Sequence, residues 1–68
     1  MKLSARNQIK GTIVEVTNGT TTAHARVEIA PGHVITSSVT NKAGYDLGLK
    51  VGGNATVVIK ASDVMIGV

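Results

Sequence analysis

An alternation of small apolar and polar side chains runs from residue 20 to residue 30 and restricts the fold more than any other feature of the chain. A period of two residues predicts a β-strand with one buried and one exposed face. Asn18-Gly19 stands before this segment, and Asn-Gly is a strong hairpin signal because both residues tolerate positive φ. The chain is therefore expected to be built on an antiparallel hairpin. The residues predicted to face the core are Ala23, Ala25, Val27 and Ile29.

Other segments rich in β-branched residues predict four further strands. The alternation in the first of them is imperfect near Gly11, which predicts a bulge or a sharp bend there. Apolar residues fall on both faces of this strand, so one face is expected to be covered by a neighbouring subunit. The four strands are expected at residues 9–16, 33–39, 55–60 and 64–68.

One short helix is expected over residues 41–47, where the pattern changes from a strand period to a helical one. Thr40 or Asn41 would cap its start by accepting from a backbone N–H. Gly48 suits the left-handed position that ends a helix. The side chains expected to fill the barrel from this helix are Leu47 and Tyr45.

The chain has 68 residues, which suffice for one domain spanning residues 1–68. A chain of this length buries only about 60% of its unfolded surface. Because it has no cysteine, disulfides cannot compensate. Oligomerisation is the remaining means of stabilising so small a core, and a homo-oligomer is expected.

Five strands with one helix between the third and the fourth follow the element order of an OB-type barrel. The predicted fold class is therefore all-β, a five-stranded OB-like Greek-key barrel with one short helix. An SH3-like small barrel, which would lack a helix at that place, is the alternative.

Two polar motifs near the ends of the sequence each join a cation to a hydroxyl, namely Ser4-Ala5-Arg6 and Lys60-Ala61-Ser62. If the fold brings them together, within one chain or across a subunit boundary, they form an array of donors with two positive charges. Such an array suits a small oxyanion. Asp63 lies beside it and would oppose an anion unless its side chain points away. On spacing alone, the alternative is that these are ordinary solvated polar residues at strand ends.

The formal net charge of +3 favours anionic partners. A nucleic-acid-binding OB or SH3-like module is therefore the alternative function. The composition disfavours it, because single-strand binders stack bases on aromatic rings and Tyr45 is the only aromatic residue.

Neither catalysis nor a direct cation site is expected, because no nucleophile–base pair or metal-ligand cluster is apparent. His24 falls on the polar face of its strand and is expected at the solvent or at an interface. The sequence shows no signal peptide and no membrane-spanning stretch, so a cytoplasmic location without a membrane partner is expected.

The motifs Ser4-Ala5-Arg6-Asn7-Gln8, Leu47-Gly48-Leu49 and Lys60-Ala61-Ser62 resemble those of the molbindin (Mop) family, small molybdate-binding proteins with a TOBE-type, OB-like domain. The resemblance covers essentially the whole chain. It implies a homohexamer built as a trimer of dimers, with molybdate or tungstate bound between subunits and no organic cofactor. It also implies a role in storage and homeostasis of the oxyanion.

The resemblance further implies two classes of oxyanion site. Thr40 takes the place of the hydroxyl that family members carry where the third strand meets the helix, whereas Ala43 replaces a second hydroxyl of some relatives. The second class of site lies at threefold axes and falls on the predicted hairpin. The expected ligands are Ser4, Ala5, Arg6, Thr40, Lys60, Ala61 and Ser62 for the first site, and Asn18, Gly19, Thr20 and Thr22 for the second.

Overall fold

The computed structural model describes residues 5–68 as a curled antiparallel sheet with one short helix. The all-β prediction is confirmed, as is the position of the helix between the third and fourth strands. Neighbours across the sheet follow the order β3-β2-β1-β4, which leaves β3 and β4 at its edges. The elements are β1 (Asn7–Asn18), β2 (Thr22–Ala30), β3 (His33–Thr40), α1 (Asn41–Asp46), β4 (Asn54–Ile59) and a 3₁₀ turn (Ala61–Asp63).

The prediction of a fifth strand at residues 64–68 is wrong for the single chain, because four strands are found in the described part. After β4 the Asp63 N–H donates to the Lys60 carbonyl at 2.9 Å, and this turn interrupts the sheet. Val64 is extended, with φ −94° and ψ 123°, but pairs with no strand. A β-branched sequence favours an extended backbone, yet it cannot supply a pairing partner.

The irregularity of β1 lies at Val14 and not at Gly11 as predicted. Ile13 pairs with Val27 whereas Glu15 pairs with Arg26, so Val14 is an extra residue on β1. The extra residue exchanges the two faces of the strand, which explains the imperfect alternation. Val16 therefore faces the same side as Ile13, whereas the apolar side chain of Val14 is 41% exposed.

Gly11 has a different role, which is close packing against β2. A Cβ atom at this position would lie 2.6 Å from the Glu28 carbonyl oxygen and 2.7 Å from Val27 Cγ1. No side chain fits there without a shift of the neighbouring strand. The glycine lets the sheet curl tightly at this point.

The hairpin predicted from Asn18-Gly19 is formed, but without positive φ at either residue. Its connection is longer than a two-residue turn, since β2 begins only at Thr22. The Gly19 N–H closes the turn by donating to the Thr22 carbonyl at 2.7 Å. A longer loop does not need the left-handed conformations of the tight turn.

The buried core lies between the middle of β1 and β2. The alternation predicted for β2 is confirmed for its core-facing residues. The helix does not fill the barrel as predicted, because Tyr45 is 87% exposed and Leu47 69% exposed. Its small residues face the sheet instead, and a Cβ on Gly44 would lie 3.8 Å from Val39. The buried residues of the described chain are Ile13, Ala23, Ala25 and Val27.

Candidate functional site

The cationic end of the sheet forms where β1 begins and β4 ends. The register pairs Asn7 with Ile59, and the Asn7 side-chain amide donates to the Ile59 carbonyl at 3.2 Å. Arg6 directly precedes Asn7 and Lys60 directly follows Ile59, so both cations lie at this end of the sheet. Two cations from opposite ends of the sequence thus meet at one end of the sheet of a single chain.

The cationic end is exposed, and its charges form no ion pair among the described residues. Within residues 5–68, no ion pair joins Arg6 or Lys60 to an acidic side chain. Asp63 contributes its backbone N–H to the local turn, while its carboxylate makes no ion pair with the described residues. Ser62 adds an exposed hydroxyl, whereas Ser4 lies outside the described residues. Unpaired cations beside hydroxyl donors suit an anion.

Thr40 lies at the opposite end of β1. It pairs with Thr22 on β2, next to the position where Ala23 pairs with Asn18 at the end of β1. Its Oγ1 accepts from the Ala43 N–H at 3.0 Å, which confirms the predicted helix cap. Because only an acceptor site of the oxygen is used, the hydroxyl proton is still available for donation.

Two predicted ligands of the second site lie next to the start of α1, since Thr22 pairs with Thr40 and Gly19 bonds to Asn41. The Asn41 side-chain amide donates to the Gly19 carbonyl at 2.9 Å, and the Asn41 backbone N–H donates to the Thr21 carbonyl at 2.9 Å. The structure therefore brings these ligands together at one hairpin. All four, Asn18, Gly19, Thr20 and Thr22, are exposed.

Asn41 is a polar residue of this hairpin end that sequence reasoning considered only as a cap. Its side-chain Oδ1 is buried and has no hydrogen-bond partner among the described residues. Exchanging the positions of Oδ1 and Nδ2 would not satisfy both atoms, because Oδ1 would then face the Gly19 carbonyl oxygen. No sequence signal marks this contact, because it arises only when the helix start packs against the hairpin. A neighbouring cavity of about 420 Å³ is lined by Val16, Asn18, Asn41, Gly44, Tyr45 and Leu49.

The expected ligands of the first site are thus divided between the two ends of β1. This strand has 12 residues, which span roughly 36 Å when straight, at about 3.3 Å per residue. The longest dimension of the chain is 34 Å. One copy therefore places Ala5, Arg6, Lys60, Ala61 and Ser62 at one end of the sheet and Thr40 at the other.

Other kinds of site are not found in the part of the chain that the structure describes. It contains no group of three or more His, Asp or Glu side chains suited to a metal ion. His24 lies on the exposed face of β2, as predicted. Among residues 5–68 there is no helix with the length and apolar character needed to cross a bilayer.

A curled sheet with two cations at one strand end and a capped short helix at the other defines a small all-β domain with a candidate anion site. The chain belongs to the TOBE domain family, whose family model matches residues 3–66.

Three relatives make the assignment more specific. The chain is 46% identical over 68 residues to a probable molybdenum-pterin-binding protein of Haemophilus influenzae, covering 100% of this chain and 99% of the relative. The structure of MopII from Clostridium pasteurianum, in an apo form, matches with a TM-score of 0.90 and 43% identity over 98% of this chain and 100% of MopII. ModG, described as a cytoplasmic molybdate-binding protein and solved with molybdate bound, matches with a TM-score of 0.94 and 44% identity, covering 100% of this chain and 48% of ModG. The resemblance to the Mop family is confirmed.

Proposed function

We propose that this protein binds molybdate, or tungstate, as a bare oxyanion between copies of the chain and stores it in the cytoplasm. The observation that carries the proposal is that Arg6 and Lys60 lie at the same end of the sheet, where neither has an acidic partner among residues 5–68. The choice of anion is supported by relatives whose names specify molybdenum or molybdate binding. The proposal includes no organic cofactor and no catalytic step.

Charge and donor geometry explain why this end suits such an anion. Molybdate is a tetrahedral dianion with four acceptor oxygens and no donor. Two cations roughly balance its charge, which reduces the cost of burying it. The Arg6 guanidinium offers five N–H groups in a fixed fork, and the Lys60 ammonium offers three rotatable donors. The Ser62 hydroxyl adds a neutral donor beside them.

A second copy of the chain is proposed to supply Thr40. Because Arg6 and Thr40 lie at opposite ends of β1, a site that contains both needs two chains. Each anion is then closed at an interface, where water is excluded and charge-assisted hydrogen bonds are stronger. We propose a homohexamer built as a trimer of dimers, with the hairpin residues around Asn18 holding the second class of oxyanion at threefold axes.

Anion selectivity tests the proposal by calorimetry. Molybdate and tungstate should bind at least about tenfold more tightly than sulfate, a difference of roughly 1.4 kcal/mol. The reason is that donors set for a larger tetrahedral oxyanion fit a smaller one poorly. Phosphate should be rejected because it carries a proton near neutral pH, which a site built only of donors leaves unpaired. Equal affinity for sulfate would contradict a dedicated molybdate site.

An oligonucleotide titration in parallel separates this function from the nucleic-acid-binding alternative. Ligand that binds only the folded state raises its thermal stability, so molybdate should raise the melting temperature. Single-stranded oligonucleotide should leave it unchanged. Stabilisation by oligonucleotide together with no response to molybdate would replace the proposal with a nucleic-acid-binding module.

A further inference from the structure

The loop between β1 and β2, residues 19–21, has its carbonyl groups engaged by hydrogen bonds. We call this segment the hairpin loop. The Gly19 carbonyl accepts from the Asn41 side-chain amide at 2.9 Å, and the Thr21 carbonyl accepts from the Asn41 backbone N–H at 2.9 Å. A further bond, from the Gly19 N–H to the Thr22 carbonyl at 2.7 Å, closes the loop itself. Asn41 therefore engages two carbonyls of the hairpin loop.

The donors of the hairpin loop are not used in the same way. In the part of the chain that the structure describes, the N–H groups of Thr20 and Thr21 donate to no backbone carbonyl. Both residues are exposed, and each adds a hydroxyl. The segment 17–22 contains no acidic residue. A surface with engaged acceptors and unused donors suits an oxyanion, which offers acceptors only.

The amide of Asn41 is costly at its place in this contact. Its Oδ1 is buried and has no hydrogen-bond partner among residues 5–68. A buried acceptor without a partner destabilises a fold. Such groups are few in native proteins, and each requires an explanation. Because an apolar side chain would avoid the cost, stability alone does not explain an amide at this position.

We infer that Asn41 is a positioning residue for oxyanion binding by the hairpin loop, and that Thr21 is a further ligand there. By engaging the carbonyls of Gly19 and Thr21, it turns these acceptors away from the anion. The N–H groups of Thr20 and Thr21 are then left to donate to it. The inference deepens the proposed function, because it rests on the second class of oxyanion site at this hairpin.

The donors of the hairpin loop are neutral, which distinguishes it from the cationic end. Lys42, which follows Asn41 directly, already pairs with Asp46 at 3.6 Å. Hydrogen bonds from neutral donors are roughly half as strong as charge-assisted ones. Affinity for a tetrahedral oxyanion should therefore be at least about tenfold lower at the hairpin loop than at the cationic end. A titration can resolve two sites that differ by this factor.

Calorimetry with molybdate on the Arg6→Ala protein isolates the hairpin loop, because this substitution removes a cation of the other site. Weak binding should remain. Adding Asn41→Leu should lower the remaining affinity by at least about tenfold. Asn54→Leu makes the same exchange at an exposed asparagine at the start of β4. It is the matched control and should change the remaining affinity by less than about threefold.

The melting temperature of the apo protein separates positioning from a purely structural role. Leucine has nearly the size of asparagine and removes the unpartnered Oδ1, which offsets the lost bond to the exposed Gly19 carbonyl. The melting temperature of Asn41→Leu should therefore change little. A lower melting temperature with unchanged remaining affinity would make Asn41 a structural residue and would overturn the inference.

Amide resonances identify the ligands directly. In the Arg6→Ala protein, molybdate should shift the N–H resonances of Thr20 and Thr21, and Asn41→Leu should abolish both shifts. Gly32, between β2 and β3, is the internal control and should not respond. Shifts confined to residues outside the hairpin loop would overturn the inference.

The same titrations separate failure of the inference from failure of the proposed site at the cationic end. Tight binding by the wild type with no binding by Arg6→Ala would overturn the inference and support the cationic end. Equal binding by the two proteins would contradict the cationic end instead. The effect of Asn41→Leu on that binding would then still decide whether the hairpin loop holds the anion.

Discussion

The two ends of β1 differ in how their polar groups are used. At the Asn18 end, hairpin and helix bond to each other through Asn41, and Thr40 caps the helix. At the Asn7 end, one side-chain amide bonds to the neighbouring strand, while Arg6 and Lys60 form no ion pair within residues 5–68. At the Asn18 end the polar groups bond to one another and stabilise the fold, whereas at the Asn7 end the charged groups remain available for a ligand.

This difference suggests how a chain of 68 residues combines a fold with a binding site. A small domain cannot bury cations beside its own core, because unpaired buried charge is costly. It can hold them at an exposed strand end, where only a ligand and a second chain complete their environment. The fold and the ligand then depend on different residues, and substitutions should separate the two.

The largest expected effect is on anion affinity when either cation is removed. Arg6→Ala and Lys60→Ala each leave a buried dianion with one positive partner, and losing one partner of a buried charge pair costs roughly 3–5 kcal/mol. Affinity for molybdate should fall by two to four orders of magnitude, at roughly 1.4 kcal/mol per decade. Calorimetry measures the loss.

Lys50→Ala is the control for this comparison, because it removes the same charge from an exposed position away from the cationic end. It should leave affinity nearly unchanged. The apo stability of Arg6→Ala and Lys60→Ala should be unchanged or higher, since two like charges no longer repel. Loss of folding without loss of binding by the folded fraction would make Arg6 a structural residue.

The residue types at the cationic end were predictable from the sequence, whereas the chain that supplies the remaining ligand was not. The motifs around Arg6 and Lys60 are recognisable by residue type, and the β1–β4 register places both at one end of the sheet. Thr40 was grouped with them by family resemblance, yet in one chain it lies at the other end of β1. Spacing along a sequence does not tell which chain supplies a ligand, because that depends on the packing of whole subunits.

A medium effect is expected from a substitution in β1 between the two ends. Gly11→Ala places a Cβ 2.6 Å from the Glu28 carbonyl oxygen, so the two strands must separate. Overpacking of this kind costs typically about 1–3 kcal/mol of folding free energy. Urea denaturation should show a lower midpoint with an unchanged slope.

Gly44→Ala is the matched control for Gly11→Ala and should have the opposite sign. Its Cβ would make an ordinary contact at 3.8 Å with Val39, and alanine is preferred to glycine within a helix by about 0.5–1 kcal/mol. Equal destabilisation by the two substitutions would contradict the close approach of β1 and β2 at Gly11.

The fold shows the same limit of sequence reasoning. Local signals predicted the four strands, the Thr40 cap and Gly48, which has a φ of 65°. The bulge was predicted at Gly11 because glycine often marks one, but the extra residue is Val14, and only the pairing with β2 reveals this. The residue types at 64–68 predict a strand. Whether a strand forms there depends on a pairing partner, which local sequence does not determine.

The smallest effect is expected at Thr40, where the two ends of the molecule are proposed to meet. Thr40→Ala removes the acceptor for the Ala43 N–H, and losing such a cap costs about 1 kcal/mol of stability. It also removes one neutral hydrogen bond to the anion, worth roughly 0.5–1.5 kcal/mol. Thr40→Ser keeps the hydroxyl and should restore both, whereas Arg6→Ala should lower affinity alone. If Thr40→Ala lowers the denaturation midpoint but leaves molybdate affinity at the wild-type value, Thr40 serves only the helix. The oxyanion would then be held by the cationic end without a hydroxyl from the hairpin end of a second chain.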